Sequence, residues 1–60
     1  MIVCHCIKEY KEDGIVFEPG NEYYYYVDKQ GDIWVCRHMS KYADGFFESL
    51  KEFHKYFKDY

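Results

Sequence analysis

Apolar runs separated by turn-forming residues organise this chain. Residues 2–10, IVCHCIKEY, form the first run and read as a strand. Residues 22–28, EYYYYVD, and 33–38, IWVCRH, are rich in the β-branched and aromatic residues that suit a pleated, half-buried surface. Between the last two lies Asp28-Lys29-Gln30-Gly31-Asp32, with Gly31 placed to take a positive φ. That pattern predicts a β-hairpin closed by a type I turn and a glycine bulge. Pairing outward from the turn sets Val27 against Ile33, Tyr25 against Val35 and Tyr23 against Arg37. Side chains alternate between faces along a strand. The aliphatic face with Val27, Ile33 and Val35 is therefore assigned to the core. The opposite face carries Tyr24, Tyr26, Trp34, Cys36 and His38.

The intervening stretches are less regular. Residues 11–22, KEDGIVFEPGNE, hold Gly14, Pro19 and Gly20 and read as a loop, which Ile15, Val16 and Phe17 pin to the core. Residues 39–45 form a connection, and 45–48, GFFE, a short fourth strand. Ser49-Leu50-Lys51-Glu52 fits a capping box. It predicts a helix of two to three turns ending near Tyr60, with the apolar stripe Leu50, Phe53, Phe57 and Tyr60. Lys55 and Lys58 fall in its last turns, where cations suit the helix dipole. The expected architecture is α+β: one domain over residues 1–60, a small antiparallel sheet or SH3-like barrel of three to four strands, and one C-terminal helix.

Composition changes this picture in one respect. Sixty residues make one marginal domain, too small to enclose a deep catalytic cavity beside a core. Yet the chain holds eight Tyr, five Phe and one Trp, more large rings than one small core needs. Phe46, Phe47 and Tyr56 exceed what one short helix can bury. Tyr24, Tyr26 and Trp34, extended by Phe47 and Tyr56, are assigned to an aromatic face that binds a partner or a second copy of the chain. Tyr and Trp are enriched at binding hot spots. A homodimer would also supply the additional stabilisation that small cores need.

Charge excludes other classes. Eleven acids against eight bases give a net charge of −3, with no basic stripe, so direct binding to nucleic-acid phosphates is not expected. Acids gather at Glu9, Glu12, Asp13, Glu18 and Glu22, as a solvated loop or as a surface that meets a basic partner. No apolar run approaches the ~20 residues of a membrane helix. The start MIVCHCIKEY has no cationic n-region, and three cysteines, an odd number, do not suit a secreted disulfide framework. The expectation is a cytoplasmic protein, with no membrane contact.

Candidate chemistry is sparse. Cys4-x-Cys6 and Cys36-x-His38 are the one ligand-like constellation. They would make a Cys₃His zinc site if the first and third predicted strands were neighbours. Structural zinc prefers C-x₂₋₄-C spacing, whose knuckle lets two sulfurs converge, the two halves fall on opposite faces, and free cysteine is commonly core. The primary reading is three packed thiols and no cofactor. No nucleophile, base and orienting group converge, so catalysis is not expected.

The order of a strand with CHCIKEY at 4–10, FEPGNEY at 17–23, the hairpin at 23–38 and FHKYF at 53–57 resembles the very short SH3-like β-barrel proteins of bacteriophage and prophage genomes. These often begin with a V-K-C-I pattern and carry F-x-x-G-K-x-Y. The resemblance spans most of the chain through short motifs. The link HMSKYADGFFES is longer than usual and the tyrosine content higher, which suggests a specialised surface. The resemblance implies a stoichiometric binder of a host protein, including inhibitors of anti-phage defence. Alternatives are a small metal-binding or regulatory module and a virion accessory subunit.

Overall fold

The computed structural model describes residues 1–39 and 43–59. Residues 40–42 of the predicted connection, and Tyr60 of the predicted helical stripe, lie outside them. In chain order the elements are β1 (Ile2–Cys6), β2 (Tyr10–Glu12), β3 (Ile15–Phe17), β4 (Glu22–Val27), β5 (Ile33–Cys36), β6 (Gly45–Phe47), α1 (Leu50–Phe53) and β7 (Phe57–Asp59). Five strands form an antiparallel sheet in the order β6-β5-β4-β1-β7, and β2-β3 is a separate hairpin. The sheet curls into a half-barrel around the core.

The central hairpin has the register expected from its turn. Val27 pairs with Ile33, Tyr25 with Val35 and Tyr26 with Trp34. Gly31 takes φ 90°, its N–H donates to the Asp28 carbonyl at 3.1 Å, and the Asp28 N–H donates to Asp32 at 2.9 Å. Only a residue without a Cβ takes that φ without strain.

The α+β expectation is wrong. Among the described residues the fold is mostly β, with seven strands and a helix of four residues, and its main sheet has five strands where three to four were expected. Ser49 does cap α1, accepting from the Glu52 N–H at 3.3 Å. The helix nevertheless ends at Phe53, and the chain returns to pair β7 with β1: Cys4 with Asp59, His5 with Lys58 and Cys6 with Phe57. The physical reason is the open edge of β1. A helix running on to residue 60 would leave that edge's backbone groups without a ladder partner, a cost comparable to lost hydrogen bonds. Instead the Ile7 N–H donates to the Tyr56 carbonyl at 2.7 Å. The predicted stripe breaks up accordingly. Leu50 is 46% exposed, while Phe53 and Phe57 stack 5.2 Å apart at 11°, one on the helix and one on the strand.

Two further segments depart from expectation. The first predicted strand stops at Cys6, and Tyr10 opens β2. The predicted loop 11–22 contains all of a hairpin but its first residue, because Asp13 (φ 50°) and Gly14 (φ 81°) make a two-residue turn between Glu12 and Ile15. Positive φ at both central positions matches the twist of the flanking strands.

The concave face holds Cys4, Cys6, Phe17, Tyr23, Tyr25, Ile33, Val35, Phe47, Phe53 and Phe57. Val27 shares its parity but lies at the open end and is 45% exposed. Phe57 is central, with ring centroids of Phe53, Phe17, Phe47 and Tyr23 at 5.2, 5.6, 5.9 and 6.0 Å. Gly45 admits Phe17: a Cβ there would stand 3.2 Å from its ring. The polar tips of the core tyrosines are used. The Glu18 N–H donates to the Tyr23 hydroxyl at 2.9 Å, and the Tyr25 hydroxyl donates to Asp59 Oδ1 at 2.7 Å. His54 Nε2 lies 3.4 Å from Asp59 Oδ2, so β7 is tied both to the core and to the end of α1.

Candidate interaction face

The outward residues of the sheet follow from its register. Trp34 stands between Tyr26 on β4 and Phe46 on β6, each its direct cross-strand partner. Tyr24 lies opposite Cys36 on one side and Val3 on the other. His5 lies between Glu22 and Lys58. The convex face thus runs from an aromatic row, Tyr26–Trp34–Phe46, through Tyr24 to a charged row. All four rings are partly exposed.

The aromatic row is held in place. The Trp34 and Phe46 ring centroids are 4.8 Å apart at 58°. Trp34 Nε1–H donates to Asp28 Oδ2 at 3.0 Å, and Asp28 Oδ1 accepts from the N–H groups of Gln30 and Asp32 at 2.9 and 3.0 Å. These donors, the indole foremost, hold the Asp28 carboxyl below its ordinary pKa. One side chain therefore orders the turn and orients the indole. Among the described residues the hydroxyls of Tyr24 and Tyr26 make no hydrogen bond, which leaves them for solvent or a partner.

Of the residues assigned from sequence to the aromatic face, Tyr24, Tyr26 and Trp34 share it. Phe47 does not: it is 5% exposed and faces the core. Its neighbour Phe46 occupies the outward place. The reason is steric, since Gly45 and Phe47 share a face and Gly45 must lie against Phe17. Tyr56 lies elsewhere too, at the rim of the core. Its ring is 4.9 Å from Tyr10 and 5.8 Å from Phe47, with the Lys8 ammonium 5.6 Å from its centroid. Choosing between Phe46 and Phe47 needed the β5–β6 register, which no local signal supplies.

The ligand-like quartet does not converge. Cys4 and Cys6 face the core, Cys36 is buried on the opposite face, and β4 separates β1 from β5. His38 is exposed beyond the end of β5. Burial pushes the Cys4 thiol up to about 12 and raises Cys6 and Cys36, which favours the protonated, poorly ligating form. The Cys6 thiol lies 3.0 Å from the Lys8 carbonyl. Among the described residues no three metal-ligating groups gather and no pocket opens. No helix among them is long and apolar enough to cross a membrane.

No known protein family, curated protein or solved structure matches this chain.

Proposed function

We propose that this protein is a non-catalytic binding module whose convex aromatic face captures another protein. The observation that carries the reading is the ordered row Tyr26–Trp34–Phe46 with Tyr24 beside it. These rings stand outside a core that already holds its own aromatics. Rigid aromatic residues give large contact area at small entropic cost, which is why they dominate binding hot spots. The resemblance of FEPGNEY and the central hairpin to short phage proteins supports the sharper form. In that form this is a cytoplasmic, phage-encoded inhibitor that blocks a host anti-phage defence component by stoichiometric occupation. The acids at Glu9, Glu12, Asp13, Glu18 and Glu22 would steer the encounter with a basic target.

The test is affinity capture from bacterial lysate with the wild-type chain and a Tyr24→Ser/Tyr26→Ser/Trp34→Ser variant, both first shown to be folded. One protein held near one-to-one by the wild type, and released by the variant, is the expected result. Capture that is indifferent to the substitutions would sink the face. Sedimentation of the two proteins alone tests the homodimer: an aromatic-dependent dimer would assign the face to a second copy.

A further inference from the structure

A second row lies beside the aromatic one. Asp28 and Asp32 stand two residues beyond Tyr26 and two before Trp34, so both have convex-face parity. The Asp28 N–H to Asp32 carbonyl bond, 2.9 Å, continues the ladder to this pair. Glu48 stands two residues beyond Phe46, just past β6, and is exposed. Three acids therefore border the rings at the hairpin end. Among the described residues no cation forms a salt bridge with any of them. The loop's own cation, Lys29, is exposed and forms none.

Rings edged by carboxylates make a specific chemical environment. The face of an indole or phenol attracts a cation within about 6 Å of its centroid. A guanidinium is planar, weakly hydrated and able to stack on a ring while its N–H groups reach a carboxylate. We infer that the partner of this face presents an arginine side chain, seated against Tyr26 and Trp34 with its charge met by Asp28 and Asp32. The inference rests on the reading of the convex face as a binding surface. The two carboxylates have different parts. Asp28 already accepts from the Trp34 indole and from two backbone N–H groups, so it acts mainly as a fixed negative charge. The Asp32 carboxylate accepts no hydrogen bond among the described residues and is free to take a bidentate pair.

Charge also decides against two other occupants. A nucleic-acid backbone would set phosphates against the acidic row. A second copy has a single arginine to offer, and Arg37 is held by Asp44, with Nε 3.4 Å from Oδ2.

Trp34 is the chain's only tryptophan, so its emission reports on this site directly. The probe is the capped peptide Gly-Arg-Gly-Arg-Gly, with a control in which citrulline replaces both arginines and removes only the charge. The expected result is a saturable emission change with the arginine peptide and none with the citrulline peptide. Asp32→Asn should weaken the apparent affinity about tenfold, and added salt should weaken it further. Asp28→Asn, which keeps an acceptor for the turn, should weaken it in the same direction, with circular dichroism confirming the fold. Equal responses to the two peptides, or no saturation up to about 10 mM, would overturn the arginine assignment. A captured protein that is released by the aromatic variant but retained by an Asp28→Asn/Asp32→Asn double variant would leave the binding face standing and remove the arginine. Peptide binding that survives Tyr24→Ser/Tyr26→Ser would remove both.

Discussion

The two faces of the five-stranded sheet share tyrosine, phenylalanine and cysteine and place them in different surroundings. On the concave face Tyr23 and Tyr25 are buried, and each hydroxyl is paired within the protein. On the convex face Tyr24 and Tyr26 are partly exposed, and their hydroxyls are unpaired among the described residues. Adjacent positions in one run of tyrosines thus lie in opposite environments. The lesson is that identity does not separate a core ring from an outward one; parity and the partner of the polar tip do. Rings inside stabilise by displacing water; rings outside, on the function proposed above, keep that contribution for a partner.

Substitutions should separate the faces by size of effect. The largest is Phe57→Ala, which empties the middle of the aromatic core. Its expected cost of about 3–5 kcal/mol would leave a domain of this size largely unfolded in chemical denaturation. Gly45→Val comes next, because its side chain would be driven into the Phe17 ring. A loss of about 1–3 kcal/mol is expected, and an unchanged denaturation midpoint would show that the two can part freely.

Alkaline pH should expose the concave face without mutation. Burial, with Asp59 beside both groups, pushes Cys4 and Tyr25 up to about 12 from ordinary values of 9.0 and 10.0. Both bind their protons more tightly when folded. Their contribution is complete below the ordinary values and is lost as pH rises from near 9 towards 12. Tyr25→Phe should remove part of that loss in a pH–stability profile, and at neutral pH should cost about 1 kcal/mol with the Asp59 bond.

The convex face should answer more weakly. Tyr26→Ser loses cross-strand contacts with Trp34, and a change of about 0.5 kcal/mol is expected, far below Phe57→Ala. A drop matching the core substitution would mean that the outward rings hold the fold and are not reserved for a partner. The smallest effect is at Asp28. Its carboxyl lies below its ordinary value of 3.8, so its contribution is present above that pH and fades as pH falls through the folded value. Trp34 fluorescence should change over that acid range and stay flat in Asp28→Ala.

Legibility in the sequence followed the range of the interactions. The register of the β4–β5 hairpin could be read, because Asp28 and Gly31 specify the turn and the turn specifies the register, although the ladder ends at Tyr24–Cys36, one pair short of the expected Tyr23–Arg37. That reading also put Tyr24, Tyr26 and Trp34 on one face. The Asp13-Gly14 turn carried an equally local signal, the Asp-Gly pair just before the apolar run Ile15-Val16-Phe17, and reading residues 11–22 as one loop passed over it. The C-terminal segment was different. Ser49 and the spacing of Phe53 and Phe57 satisfy a helical pattern, and over such a short stretch a helix turn followed by a strand satisfies it equally.

What decided that segment lies far away in the chain: the unpaired edge of β1, which Phe57 meets at Cys6. The same holds for Phe46 and Phe47, whose directions depend on Phe17 lying against Gly45. The central hairpin, its register and the helix cap were legible because each rests on residues a few positions apart, and the surplus of rings because it is a matter of composition. Tertiary structure alone decided the seventh strand, the length of the helix and which of two adjacent phenylalanines faces outward. Those outcomes balance backbone groups and close contacts between strands remote in sequence, and no local propensity records that balance.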